Sequence, residues 1–258
     1  MYAHRSGAYG CLVMSLLFCL GMATHAGAQT GTGETLFMTV VDSLTLPPGL
    51  VRGLAWLGTD TLVALREIPD SLSARGRRQV LLTFLDRRGN VMRDENVTGT
   101  LDRGLASDGQ YLWSCGDDQE GGSLLYKIDP ITAVVEDAYP TSGHRPTGVA
   151  WDGEFLWVVD RDSGRLDRFD PEDGQVTRSV LTPGFSPYGL AHVGRHTWVS
   201  DFGTGRLYRL AGARRRWSGT VDVSSYSHRA QEVVLGGDGG SLWLVSVGSS
   251  TAYRVRLS

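Results

Sequence analysis

Arginine, carboxylate and tyrosine side chains recur at the two ends of short apolar runs, and these are the places where the chain carries chemistry. Arg52, Arg103, Thr147, Tyr188 and Glu232 each stand just before a run of small apolar residues. Glu67, Asp117, Asp118, Asp160, Asp162 and Asp201 follow the apolar runs that read as second strands, and His144, Arg145, His228 and Arg229 lie slightly upstream of the small-residue runs. A guanidinium presents a planar fork with two parallel donors, so two or three brought together suit a carboxylate or a phosphate. Tyr188 would orient such a ligand, and Glu232 would pair with an arginine or serve as general base. The candidate binding set is therefore Arg52, Glu67, Arg103, Arg145, Asp160, Tyr188, Asp201 and Glu232, with no metal ligand and no assigned catalytic residue. A structural reading stands beside it. Asp160 and Asp201 head turns in which an aspartate caps backbone N–H groups, and Arg52 and Arg103 would then pair with those acids and lock an inner ring.

Other combinations carry less. His192 and His196 straddle a strand and its turn, so they share no helix face for a metal. Ser200-Asp201 has no histidine placed beside it, and no Gly-x-Ser-x-Gly occurs after residue 28. Arg214-Arg215-Arg216 reads as a solvated turn. The irregular stretch from Ile68 to Arg77, with Pro69, Asp70 and Arg75, reads as a flap over a ligand or as a tolerated loop.

These residues need elements to hold them. The chain has 258 residues, 41% hydrophobic and 21% charged, with net charge −3. That is enough for one sizeable core and too balanced for disorder, and it calls for neither nucleic acid nor an anionic membrane as partner. Lys127 is the single lysine among 25 basic residues. Met1 to Ala28 reads as a secretory signal: polar His4 and Arg5, an apolar run from Cys11 to Met22, then Ala26-Gly27-Ala28 for cleavage. The run is too short to remain as a spanning helix, which needs about 20 residues. A bacterial secreted or periplasmic protein with no transmembrane segment after cleavage is expected. Its one domain would be 29–258. Cys11 and Cys19 leave with the signal, so Cys115 cannot form an internal disulfide and is expected to be buried and inert.

Internal repetition organises that domain. Gly104-Leu105-Ala106 precedes Trp113, Gly148-Val149-Ala150 precedes Trp157, and Gly189-Leu190-Ala191 precedes Trp198, with nine positions from Gly to Trp each time. Looser copies are Gly53-Leu54-Ala55 before Leu62 and Val233-Val234-Leu235 before Trp243. The starts at 53, 104, 148, 189 and 233 lie 51, 44, 41 and 44 residues apart. Each unit reads as four short strands. Asp108-Gly109 and Asp152-Gly153 make hairpin turns, and Asp129-Pro130 and Asp170-Pro171 end third strands. Tandem four-stranded units of this period predict an all-β, five-bladed β-propeller, with the tryptophans filling the wedges between blades. The last unit has three strands, so the run Leu36–Val41 is predicted to lie beside Thr251–Leu257 and close the ring.

The block Arg145-Pro146-Thr147-Gly148-Val149-Ala150-Trp151-Asp152-Gly153, continued by Phe155-Leu156-Trp157-Val158-Val159-Asp160, resembles bacterial propeller repeats of the NHL and YVTN type. Ser186-Pro187-Tyr188-Gly189-Leu190-Ala191, with Trp198-Val199-Ser200-Asp201, is a second match. The resemblance covers most of 35–258 and implies fold more than activity. Among propeller enzymes it is distantly similar to five-bladed glutaminyl cyclotransferases, six-bladed gluconolactonase-like proteins and seven-bladed virginiamycin B lyases. The chain lacks the Gln-Gly-Leu and Asn-Glu-Leu-Glu segments of the first and the Glu-Gly-Pro opening of the second, and it is too short for the third. The expectation is a binding module whose channel mouth takes a small anionic molecule or a peptide. The alternative is a cyclotransferase-like or lactonase-like enzyme using Glu67, Glu232 or Asp160 with Tyr188. No cofactor is expected except a divalent cation such as Ca²⁺ under the lactonase-like alternative. A third reading is a structural envelope protein whose rim binds a protein partner.

Overall fold

A computed structural model describes residues 33–69, 78–97, 101–117, 120–211, 216–223 and 232–258. The signal-like segment, most of the 68–77 stretch, Asp118, His228, Arg229 and the first two residues of the triple-arginine run lie outside them.

Two early strands, β1 (Glu34–Thr35) and β2 (Met38–Thr45), precede the repeats. Blade one is β3 (Leu50–Leu57), β4 (Thr61–Pro69), β5 (Arg78–Leu85) and β6 (Val91–Asn96). Blade two is β7 (Leu101–Ser107), β8 (Leu112–Asp117), β9 (Ser123–Ile128) and β10 (Val135–Pro140). Blade three is β11 (Pro146–Trp151), β12 (Leu156–Asp160), β13 (Arg165–Phe169) and β14 (Val176–Leu181). Blade four is β15 (Pro187–Val193), β16 (His196–Asp201), β17 (Arg206–Ala211) and β18 (Trp217–Asp222). Blade five is β19 (Val233–Gly237), β20 (Leu242–Ser246) and β21 (Thr251–Leu257), completed by β2. The molecule is a five-bladed β-propeller of antiparallel four-stranded sheets, as the repeat spacing predicts.

The ring closes through β2, with Met38 opposite Leu257 and Thr45 opposite Thr251. The closing strand thus begins two residues later than predicted and runs on to Thr45. The reason is Leu36, which turns inward to bury between blades four and five beside Leu207, Val221 and Val255. Its neighbours Glu34 and Thr35 add a short parallel strand to β18, which repeat counting does not foresee.

The five first strands, β3, β7, β11, β15 and β19, touch one another in sequence and back to the first around the axis. Glycine makes this approach possible. A Cβ on Gly148 would sit 2.7 Å from the Tyr188 carbonyl oxygen, and one on Gly189 would sit 2.3 Å from that of Val233. The apolar faces between blades bury Trp113, Trp157, Trp198 and Trp243, all under 5% exposed, so these tryptophans are core. Two strands of a blade present apolar residues on both faces, as in Leu156–Val159, because a blade is covered on both sides by its neighbours.

Candidate functional site

The antiparallel register brings the start of each first strand and the end of each second strand to one end of the ring. Leu50 lies opposite Glu67, Leu101 opposite Gly116, Pro146 opposite Asp160 and Pro187 opposite Asp201. Arg52, Arg103, Thr147 and Tyr188 therefore lie within β3, β7, β11 and β15 rather than in the loops before them; of the five, Glu232 alone precedes its strand. The ladders are interrupted at these points, between Val51 and Gly53, Leu101 and Arg103, Pro146 and Gly148, and Pro187 and Leu190. An interruption of this kind re-aims a side chain that would otherwise alternate with its neighbours.

One cluster spans four blades. Arg52 donates Nε and Nη2 to the same oxygen of Glu67, at 3.0 and 2.9 Å, and Nη1 to the Tyr188 hydroxyl at 3.3 Å. The other oxygen of Glu67 accepts from Arg78 at 2.6 Å. Glu232 lies 3.0 Å from Arg161 Nη1 and 3.7 Å from Arg52 Nη1. Arg161 also donates to Ser186 Oγ at 2.9 Å and lies over the Phe202 ring at 4.8 Å. Burial alone would lift the Glu67 carboxyl, but the hydrogen bonds from Arg78 and Arg52 outweigh it and hold the group below the usual glutamate range. Burial likewise works against the Arg52 charge, and Tyr188 and Glu67 reverse that, so the guanidinium stays firmly protonated. Burial, aided by the Glu232 charge, pushes the Tyr188 phenol up and keeps its proton on.

A second cluster lies in blade two. Arg103 donates to Asp102 at 2.8 Å, to Asp117, and to the Pro146 carbonyl at 3.4 Å. Cys115 is buried beneath it, donates to the Arg103 carbonyl at 3.1 Å, and burial raises its thiol far above the usual range.

Asp160 and Asp201 are turn caps. Asp160 accepts the backbone N–H of Arg145 at 2.6 Å and of Ser163 at 2.8 Å. Asp201 accepts those of Ser186 at 2.7 Å and Thr204 at 2.8 Å. The expectation that Arg52 and Arg103 would pair with these two acids is corrected: the arginines take Glu67, Asp102 and Asp117, because the caps have already spent both oxygens on backbone. Arg145 contributes its backbone here, and its side chain is exposed.

The structure thus joins Arg52, Glu67, Tyr188 and Glu232, and sets Arg103, Arg145, Asp160 and Asp201 around them in separate contacts. Sequence reasoning missed Arg78, Arg161 and Ser186. Arg161 had a local signal, since it follows the cap Asp160 at the place that Phe202 takes after Asp201. Arg78 had none, being the first residue past an irregular stretch. Below the mouth the channel is lined by small and apolar residues, with Trp56, Trp151 and His192 toward the far end, and holds about 50 Å³. That is room for a few waters, at about 10–15 Å³ each, and too little for an organic ligand. His192 bonds Thr197 at 3.1 Å. Among the described residues no group of three His, Cys, Asp or Glu side chains converges to hold a metal ion.

No protein-family model matches the sequence, and no curated protein sequence matches it either. Solved structures do resemble it. The crystal structure of Myxococcus xanthus glutaminyl cyclase superposes with a TM-score of 0.66 at 16% identity, over 88% of this chain and 98% of that one. A nidogen/laminin complex aligns with a TM-score of 0.44 at 12% identity, over 67% of this chain and 84% of that one. At 16% identity the likeness to the cyclase is one of fold.

Proposed function

We propose that this propeller is a binding module, secreted or periplasmic, whose channel mouth takes the carboxylate of a small molecule or of a peptide. The observation that carries the reading is the charge balance of the mouth cluster. Three guanidinium groups, Arg52, Arg78 and Arg161, face two carboxylates, Glu67 and Glu232, around one buried phenol. Among the described residues of the cluster, one positive charge is left over. The Tyr188 hydroxyl accepts from Arg52, and its own hydrogen has no acceptor among the described residues. A ligand carboxylate would take that hydrogen on one oxygen and Arg161 or Arg52 on the other. Glu232, only 3.7 Å from Arg52, is the partner it would displace. Glu67, clamped by two arginines, would stay in place as the fixed counter-charge.

The cyclotransferase-like alternative requires a carboxylate that accepts a proton during the reaction. Glu67 is ill suited, because two hydrogen-bonded guanidinium groups hold it ionised and weakly basic. Asp160 has both oxygens on the backbone N–H groups of Arg145 and Ser163, which leaves Glu232 as the group to test.

The test is calorimetric titration with succinate, glutamate, inorganic phosphate, Ca²⁺ and a tetrapeptide bearing a free C-terminus. Arg161→Ala is expected to weaken carboxylate binding at least ten-fold, the loss of one charge-assisted hydrogen bond of about 1.5–3 kcal/mol. Retention of full affinity in both Arg52→Ala and Arg161→Ala would refute the mouth as the site. Cyclisation of a peptide with N-terminal glutamine, lost in Glu232→Gln, would replace the binding reading with the enzymatic one.

A further inference from the structure

Three blades solve the same local problem in the same way. A tryptophan on the second strand is buried between blades, and its indole N–H needs an acceptor. Trp113 donates to Asp108 at 2.7 Å, Trp157 to Asp152 at 2.7 Å, and Trp243 to Asp238 at 3.0 Å. In each case the aspartate stands five residues earlier, in the turn between the first and second strands. Its other oxygen accepts turn N–H groups, such as those of Tyr111, Phe155 and Ser241.

Blade four breaks the pattern. Five residues before Trp198 stands Val193, which carries no acceptor. Trp198 is 4% exposed, and its indole N–H, which has no acceptor among the described residues, is open to solvent rather than sealed between the blades. It borders a groove of about 380 Å³ between blades four and five, at the end of the ring opposite the channel mouth. The groove is cationic. Arg209, Arg254 and Arg256 line it beside His196, whose imidazole is held below its ordinary range by burial and the neighbouring Arg209, and no carboxylate does. Arg209 lies 5.9 Å from the Trp198 ring centre and is partly balanced by Glu34 at 3.3 Å. Arg254 is 3.9 Å from Asp42. Arg256 has no carboxylate partner among the described residues. The next notch round the ring, between blades five and one, is the contrasting case. It holds about 410 Å³ and is lined by the protein's own Asp42 and Asp238 beside Trp243.

We propose that the groove between blades four and five is a second ligand site, distinct from the mouth, which takes a small organic carboxylate. One carboxylate oxygen accepts the Trp198 indole N–H, in the role that Asp108, Asp152 and Asp238 play in the sister blades. The rest of the anion lies against Arg209, Arg254 and Arg256. The volume admits a molecule larger than the carboxylate itself, so the site fits a mono- or dicarboxylic acid with a short carbon skeleton.

The indole N–H gives the test its readout. In the ¹⁵N-labelled protein, the Trp198 indole cross-peak, identified by its loss in Trp198→Phe, is expected to shift on titration with malonate and to saturate. Val193→Asp restores the internal acceptor and is expected to abolish the malonate response. Arg256→Gln, a substitution at an exposed position, is expected to weaken it about ten-fold and carries the test should Val193→Asp fold poorly. Arg161→Ala, at the mouth, is expected to leave it unchanged, so failure here and failure of the mouth site are told apart. An indole that ignores malonate, that responds equally to chloride, or that responds alike in wild type and Arg256→Gln overturns the proposal. A response to inorganic phosphate but not to malonate overturns its assignment to a carboxylate.

Discussion

Asp108→Ala tests the logic of the blade most directly. Asp108 does two jobs: one oxygen accepts the backbone N–H groups of Gln110 and Tyr111 at 2.8 and 2.6 Å, and the other accepts the Trp113 indole at 2.7 Å. The indole is 1% exposed, so removing its acceptor strands a buried donor at about 1–3 kcal/mol. The two turn bonds lie near solvent and add about 0.5–1.5 kcal/mol between them. The expected loss is about 2–4 kcal/mol, measured by urea denaturation followed by circular dichroism, with the m value unchanged. Asp108→Asn separates the two jobs. Its carbonyl oxygen keeps the turn, but its amide points a donor at a donor, so it should lose the indole share alone. Trp113→Phe removes the indole N–H, and in that background Asp108→Ala should cost about 1–2 kcal/mol less than in wild type. A loss under 0.5 kcal/mol, or additivity of the two substitutions, would show that the Asp–Trp bond does not hold the blade.

Two further outcomes follow from the packing and the charge. Gly189→Ala places a methyl 2.3 Å from a backbone oxygen and is expected to cost about 3 kcal/mol or more, whereas Gly109→Ala, with open space around it and φ of 96°, should cost about 1–2 kcal/mol; thermal melts of the pair decide, and equal losses would refute the close-approach argument. Because the Glu67 carboxyl is held below its ordinary range in the folded state, its contribution is present above about pH 4.3 and is lost as pH falls through the folded value. Glu67→Gln should therefore be less stable than wild type at neutral pH, with the gap closing as pH falls below the ordinary glutamate range, and a gap independent of pH would deny the arginine clamp.

The fold was legible because its main signals are local. A glycine nine residues before a tryptophan, a two-residue turn between them and a period near 44 suffice to count blades. The site was legible only in part. Arg52, Glu67, Tyr188 and Glu232 stand at strand starts and ends, where repeat alignment points to them, but their partners come from other blades. Arg161 meets Glu232 across 71 positions, and no local pattern encodes that. The turn aspartates show a different shortfall. Asp108 and Asp152 read correctly as hairpin residues, yet the five-residue spacing to tryptophan, which is plain in the sequence, also fixes the indole. Its loss at Val193 was visible without coordinates. The placing of Leu36 was not, since an isolated leucine in a strand-like run does not say which neighbouring blade will bury it.

Completion of the last blade by β2 couples residues that are far apart along the chain: Thr45 pairs with Thr251, 206 positions away. That loop must close before the pairing gains anything, which makes it a slow step. Phe37 and Ser258 exchange backbone hydrogen bonds in both directions, so a short turn would join them without strain. A circular permutant linked there, which leaves out β1 and Leu36, and opened within the Pro47-Pro48-Gly49 connection would turn the seam into an ordinary hairpin. Such a chain should refold faster than the natural order of segments while keeping all five sectors and both of their faces.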